Sequence, residues 1–280
     1  MLSYLDLLRV VRNNGEGHAD RTGVGTTSYF GHQLRHPMAR GFPLLTTKFV
    51  PFRWVAEELF WFLSGSTHEG TLRAKGVDIW KEWATAEQCA KFGRGEGDLG
   101  PVYGKLWRDF NGNFMEVGND QISTLLRDLE ANPQSRRLIV TGWHPVLQRK
   151  VALPPCHTLW QIKAHEDDSL SLSLYARSID AFLGLPFNIA SYGLLLELLA
   201  HATNRTARDL IISFGDLHIY NNHRDQVKEQ LSRSPYALPR LRISERLRGQ
   251  GLIGLLQARW SDLDLTDYTH HPKIKAEVAV

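Results

Sequence analysis

The residues of this 280-residue chain that could do chemistry are a proline-flanked cysteine, several arginines at expected strand ends, and a few polar groups in apolar company. Cys156 lies in Leu153-Pro154-Pro155-Cys156-His157, where a rigid diproline would deliver it to a strand start. A nucleophilic thiol needs a depressed pKa, which a nearby Arg or protonated His supplies. Arg136-Arg137, Arg177 and His157 are the candidates for that help; the other reading of Cys156 is a buried structural thiol. Cys89, in the polar, Gly-rich stretch TAEQCAKFGRGEGD, has no such company and reads as structural. Arg21-Thr22-Gly23 sits in a turn, Arg136-Arg137 precedes a β-branched run, and Arg177-Ser178 follows another. Guanidinium forks with a hydroxyl make a phosphate receptor if they converge, whereas each arginine alone is an ordinary surface ion-pair partner. Glu58 interrupts an apolar helical stretch, so it is either a solvent-facing edge or a buried acid, with Glu57 taking the other place. Trp80 and Trp83 are three apart, the spacing of one helical face, and serve as core or as a platform for a flat ring. Asp216, His218 and Tyr220 alternate along one strand face, ready for a sugar hydroxyl or for one another. No paired CxxC, HExxH, Walker loop or GxGxxG is present, so zinc, P-loop nucleotides and Rossmann cofactors lack support, and no metal is expected.

The elements that must position these groups follow from apolar periodicity. Residues 2–11 have the i, i+3, i+4 spacing of an amphipathic helix, and residues 26–34 alternate as a strand. Residues 54–63 read as a buried helix stopped by Gly65-Ser66, and residues 120–129 as an amphipathic helix ended by Asn132-Pro133. Residues 138–143, 159–163 and 169–175 read as core strands, and residues 187–203 as the longest apolar helix. Strands interleaved with long helices indicate one α+β or α/β domain built on one sheet.

Composition narrows the class. Lys and Arg number 33 against 30 Asp and Glu, a net charge of +3 that is no nucleic-acid footprint. Two cysteines cannot be a disulfide framework at this length, so a reducing cytoplasm is expected. The first segment carries acid and base within its apolar pattern, unlike a signal peptide, and no apolar run approaches the roughly 18 residues of a membrane span.

Taken together, these segments resemble the thymidylate synthase family nearly end to end. The carrying motifs are Asp20-Arg21-Thr22-Gly23, Gly41-Phe42-Pro43-Leu44 with Thr46-Thr47-Lys48, Glu58-Leu59-Phe60-Trp61-Phe62-Leu63, and Ile79-Trp80 with Glu82-Trp83. GDLGPVYGKLWR, Ser135-Arg136-Arg137, Pro155-Cys156-His157, RSIDAFLGLPFNIASY, GDLHIYNNH and the terminal HPKIKAEVAV follow in order. The resemblance implies an α+β domain over residues 1–280, with a large mixed sheet flanked by helices and sheets packed across a homodimer interface. It implies one-carbon transfer from 5,10-methylenetetrahydrofolate to C5 of a pyrimidine nucleoside 5′-monophosphate through a covalent adduct between Cys156 and C6. Arg21, Arg177 and Ser178 would hold the phosphate, with Arg136 and Arg137 given to the other subunit's site. Asn188 would read the base with His157 behind it, Tyr103 would sit near the sulfur, and His218 and Tyr220 would hold the 3′-hydroxyl. Glu58 would handle protons; Ile79, Trp80, Trp83, Asp180, Gly184 and Phe187 would cradle the folate; the Val280 carboxylate would close the lid.

Four positions depart from the family pattern. Ala176 stands where Gln is usual, His144 where Asn is usual, and Phe49 and Pro51 replace basic and His residues. Room beside the nucleotide at Ala176 would admit a ribose 2′-hydroxyl, so the sequence favours a nucleotide 5-hydroxymethylase with CMP as first-guess substrate. The other reading is a thymidylate synthase converting dUMP to dTMP with release of dihydrofolate. Asn188 supports it, since the related dCMP hydroxymethylases carry Asp there. A non-catalytic nucleotide- or RNA-binding protein is the third reading, opposed by the intact Cys156, Glu58, Asn188 and arginine set.

Overall fold

The computed structural model describes residues 1–111, 119–151 and 153–279; Val280, expected to close the lid, lies outside them. Helix α1 (Leu2–Asn14) is followed by β1 (Glu16–His18), β2 (Thr26–Pro37), α2 (Phe52–Ser64) and the short α3 (Gly70–Arg73), α4 (Ala86–Ala90) and α5 (Tyr103–Arg108). Then come α6 (Gln121–Ala131), β3 (Ile139–Thr141), β4 (His157–Ala164), β5 (Ser169–Asp180), α7 (Gly184–Ala202) and β6 (Thr206–Tyr220). Helix α8 (Arg224–Leu231), β7 (Arg240–Ile243), α9 (Gly251–Leu256) and β8 (Leu263–Thr266) complete the chain.

Six strands form one sheet in the order β1-β2-β6-β5-β4-β3, and β7 pairs with β8 apart from it. Among the described residues, β5 and β6 are the only parallel neighbours in this sheet. Parallel neighbours need a crossover, and α7 supplies it, packed on both strands. That helix is buried nearly throughout, which is why its sequence reads apolar all round rather than striped. Helices α1 and α7 cover one face of the sheet, with α2 packed on α7. On the other face Ile139, Leu159 and Tyr175 stay 44%, 39% and 40% exposed, large apolar groups with nothing over them in this chain. The fold is thus a single α+β domain around a large mixed sheet. Among the described residues, no helix is long and apolar enough to cross a membrane.

Several expected boundaries move, each for a local reason. The strand expected over 138–143 shrinks to Ile139–Thr141, because the Thr141 hydroxyl donates to the Thr158 carbonyl and accepts from Trp143 N–H, turning the chain. The strand expected to stop at Tyr175 runs on to Asp180, since β6 continues to pair with it as far as Asp180 opposite His218. The helix expected from Phe187 begins at Gly184: the Asp180 carboxylate accepts the Phe182 and Leu183 N–H groups ahead of it, and Pro186 is tolerated in a first turn. Around Trp80 the chain forms successive i→i+3 turns rather than an α-helix. Residues three apart still eclipse there, so the Trp80 and Trp83 rings meet edge to face at 6.0 Å.

Gly104 shows how closely the helices must approach to place the site. A Cβ there would lie 2.3 Å from the Phe62 carbonyl oxygen, so only glycine lets α5 dock on α2 with Tyr103 at its first position. Helix propensity alone makes Gly→Ala favourable by roughly 1 kcal/mol. Here Gly104→Ala is expected to destabilise by about 1–3 kcal/mol through overpacking, read as a lowered denaturant midpoint at unchanged m.

Candidate functional site

Cys156 sits one residue before β4, in a frame of backbone bonds. Its N–H donates to the Tyr103 hydroxyl at 2.8 Å, and its carbonyl accepts from Arg177 N–H at 2.9 Å. The Arg177 guanidinium donates to the carbonyls of Pro155 and Pro154, both at 2.8 Å, and lies 4.0 Å from the sulfur. The diproline therefore has a second use: its two carbonyls aim the guanidinium at the thiol. Trp143 lies under the same guanidinium, 5.2 Å from its carbon. Burial pushes the Cys156 thiol above its ordinary value, while Arg177, the Tyr103 hydroxyl and Arg21 pull the other way. Cys89 is buried, its sulfur toward the Trp83 carbonyl, as its sequence setting implied.

Arg21 is presented by a built turn. The Asp20 carboxylate accepts from Thr22 N–H, the Thr22 hydroxyl and Gly25 N–H, holding the loop so that Arg21 projects from it near Cys156 and Tyr220. Arg136 and Arg137 are not brought to Cys156. Both are exposed at the head of edge strand β3, whose pairing runs from Thr141 opposite Leu159 to Ile139 opposite Gln161. The Gln161 side chain donates to the Arg136 carbonyl at 3.0 Å, so the two arginines sit beside the middle of β4, roughly 15 Å or more along the strand from the thiol.

The parallel pairing of β5 and β6 sets Ser178 against Asp216 and Asp180 against His218. His218 Nδ1 lies 2.8 Å from Asp216, whose carboxyl is held below its usual range chiefly by that bond. The Tyr220 ring packs edge-on against His218 at 5.1 Å. The three polar groups seen in the sequence do share one face, with two of them bonded to each other.

Neither Glu57 nor Glu58 is the solvent-facing edge that the sequence allowed for one of them: both are buried and differ by partner. Glu57 pairs with Lys75 at 2.6 Å, while Glu58 accepts from the Trp80 indole N–H at 2.7 Å. Burial pushes Glu58 up to about 7 against that bond, which favours the carboxylate. His157 is buried between Tyr103 and Tyr192, with ring centroids at 5.0 and 5.2 Å, and burial pushes it down to about 4. It is therefore neutral at pH 7; the nearby Asn188 side chain only partly opposes that shift, and the ring's Nδ1 has no hydrogen-bond partner among the described residues. Gly184, Phe187 and Asn188 occupy one face of the first turns of α7; a Cβ at Gly184 would only touch Asp180 and Asn188. Trp80 is buried and Ile79, Trp83 and Phe187 are half-buried, a set of flat and apolar surfaces.

Lys48 was quoted only as part of a motif, yet the structure puts it in this wall. Its ammonium donates to the Phe182 carbonyl, lies 3.6 Å from the Phe182 ring centroid, and is pushed down to about 7 by burial, with Asp180 opposing. A cation inside an apolar strand–helix junction is the signal that could have found it. The C-terminal segment is tied to the same region: His271 N–H donates to the Thr46 carbonyl, Arg233 to Pro272, and His223 meets the Glu277 carbonyl at 2.7 Å.

The departures have local uses. His144 Nδ1 accepts from Val146 and Leu147 N–H; Phe49 packs on His270 at 4.9 Å; Pro51 precedes the first turn of α2. Ala176 differs from expectation: it is 0% exposed, so no open space adjoins it.

Residues 2–280 match the family model described as thymidylate synthase. Proteins named thymidylate synthase from Francisella tularensis subsp. holarctica, strains FTNF002-00 / FTA, OSU18 and LVS, are each 45% identical over 293 residues, covering 100% of this chain and 100% of theirs.

The geometry predicts how the two thiols react. Cys156 is partly accessible and burial pushes its thiol above the ordinary value, so its alkylation by iodoacetamide should keep accelerating into the alkaline range without a plateau near neutrality, while Cys89 stays protected. Peptide mapping of the labelled protein checks this; a plateau near pH 7 would show a thiolate already stabilised in the free protein.

Proposed function

Since the chain belongs to the thymidylate synthase family, whose members are one-carbon transferases acting on a pyrimidine nucleotide with 5,10-methylenetetrahydrofolate, we propose that it converts dUMP to dTMP. The burial of Ala176 carries this choice. The sequence favoured a CMP hydroxymethylase because a missing Gln would leave room for a 2′-hydroxyl, and that room is not there. The full-length relatives named thymidylate synthase and the presence of Asn188 support the same choice.

In this reading Cys156 Sγ attacks C6 of the pyrimidine, and Arg177, 4.0 Å away, favours the thiolate that does so. Arg21, Arg177 and Ser178 bind the 5′-phosphate. Asn188 presents its amide to O4 and N3 of the base, oriented by a neutral His157 that cannot compete as a cation. Tyr103 fixes the Cys156 backbone, and His218 with Tyr220 holds the 3′-hydroxyl. Glu58, poised near neutrality, takes and returns a proton at the base and the departing folate nitrogen through water. The indoles of Trp80 and Trp83, with Ile79, Phe187 and Gly184, fit a flat pterin, and Asp180 offers an acceptor to its ring nitrogens. When bound, 5,10-methylenetetrahydrofolate supplies the methylene carbon and the hydride that reduces it.

Arg136 and Arg137, distant from the thiol of their own chain, are proposed to complete the phosphate site of a second copy. The exposed Ile139, Leu159 and Tyr175 give that copy an apolar sheet face to pack on. A reducing cytoplasm suits the unpaired nucleophilic thiol.

The test is a substrate panel. With methylenetetrahydrofolate and dUMP, UMP, dCMP or CMP, mass spectrometry should find a product only from dUMP, heavier by one CH2, with dihydrofolate released. A product from CMP heavier by one CH2O would overturn the proposal. Glu58→Gln should lower kcat by about 10²–10⁴-fold and remove the ionisation near pH 7 from the kcat/KM profile; a profile that keeps it assigns that proton elsewhere.

A further inference from the structure

We propose that Phe214 is a positioning residue for the nucleotide, and that it forms with Ala176 a single specificity-determining pair. Its ring takes the volume that a long side chain at position 176 would otherwise fill. The inference rests on the nucleotide site proposed above, but not on whether the product is methyl or hydroxymethyl.

The register of the sheet makes the argument. His157 of β4 pairs with Ala176 of β5, Ala176 with Phe214 of β6, and Phe214 with His32 of β2. Residues paired across strands project to the same face, so these four side chains form one row. Beyond a break in the pairing at Arg177 and Gly215, where the buried positions change from Ile212 and Phe214 to Leu217 and Ile219, the next rows along the strands pair Ser178 with Asp216 and then Asp180 with His218. The row therefore begins beside His157 and Asn188, where the base is read, and borders the rows that would hold the sugar. Within it Ala176 is 0% exposed and Phe214 2%. The Phe214 ring is stacked on His32 at 6.4 Å with an interplanar angle of 13°, and Tyr29 meets His32 edge-on at 6.2 Å. A methyl group and a phenyl ring side by side, both dry, leave no gap for a Gln side chain and no opening toward the ribose. The ring is backed by stacked neighbours, so it cannot swing aside cheaply.

Small at 176 and large at 214 is thus one solution to filling this row. Each residue is tolerable only with the other, and loss of the ring is what would create the void that Ala176 alone does not. A void there borders the row of Ser178 and Asp216 and relaxes the fit around the sugar. A site that is merely shaped discriminates an added hydroxyl modestly, by about 10–100-fold, so losing the wall erases that factor.

The experiment uses the full-length protein in four forms: unchanged, Phe214→Ala, Ala176→Gln, and the double variant. Dissociation constants for dUMP and UMP are measured calorimetrically without folate, together with the thermal midpoint. The unchanged protein should prefer dUMP, and Phe214→Ala should shrink that preference by about tenfold or more. Ala176→Gln alone should lower Tm by about 3–6 °C through overpacking. The double variant should recover both the preference and most of the Tm, departing from the sum of the single effects. Additive effects, an Ala176→Gln protein with unchanged Tm, or equal binding of UMP and dUMP by the unchanged protein would each overturn the inference. Should Phe214→Ala fail to fold, Phe214→Leu truncates the ring more gently and is read the same way. Coupling without dTMP formation would sink only the proposed reaction; dTMP formation without coupling would sink only this pair.

Discussion

The parallel contact between β5 and β6 is the constraint on which everything else in this molecule depends. It runs from Ser169 opposite Thr206 to Asp180 opposite His218, and among the described residues it is the one parallel pairing in the sheet. Antiparallel neighbours can be joined by a turn, but this pair requires a long return path, and that path is α7. One connection therefore brings three groups of residues together: Arg177, Ser178 and Asp180 on β5, Gly184, Phe187 and Asn188 at the start of α7, and Asp216, His218 and Tyr220 on β6. Gly215 keeps the contact close; a Cβ there would lie 2.6 Å from the Arg177 carbonyl oxygen. A larger residue would push apart the strands that carry Arg177 and Ser178 on one side and Asp216 and His218 on the other.

Around that contact a single physical effect tunes the chemistry. Burial raises Glu58 to about 7 and Cys156 above its usual value, and it lowers His157 to about 4 and Lys48 to about 7. In each case loss of water opposes the charged form, and the named partners only temper it. The result is a pocket holding several groups that are neutral or half-titrated at pH 7, rather than a cluster of fixed charges. Such a pocket suits proton movement, since a carboxyl near 7 both gives and takes a proton at little cost. Fixed positive charge is supplied by Arg21 and Arg177, groups that cannot lose it, and fixed negative charge by Asp216, whose carboxyl the His218 bond holds below its usual range. Positioning of an anion and transfer of protons are thereby given to different residue types.

Much of this could be read from the sequence, and the misreadings have a common cause. Local patterns found α2, α7 and the strands β2, β3, β4 and β5, though not β1, β7 or β8, because an apolar helix and a β-branched run each advertise themselves within a dozen residues. They also put Asp216, His218 and Tyr220 on one face, since alternation is local. What failed were questions whose answer lies elsewhere in the chain. Glu57 and Glu58 could not be told apart without Lys75, eighteen positions away, which takes the first. Lys48 carried no assigned role because its partners, Phe182 and Asp180, join it only through the fold. Ala176 was read as a void because Phe214 becomes its neighbour only after the α7 crossover. A missing side chain is a vacancy only if the row across the sheet leaves it unfilled.

The arginines show why such a site should be shared between two copies. Arg136 and Arg137 stand at the head of β3, at the sheet edge and far from their own thiol, exposed and without an acidic partner among the ion pairs of the described residues. The sheet face that lacks helices presents Ile139 next to them in sequence, with Leu159 and Tyr175 further in. A second copy laid on this face by a twofold rotation would cover the apolar groups, and in an isologous interface each chain lends what it receives. Two exposed features, a surplus of cations and an uncovered apolar face, then have one cause. If, as proposed, Arg136 and Arg137 of a second copy complete the phosphate site, its remaining positive charge comes from a surface that the same contact buries, and substrate binding is tied to assembly.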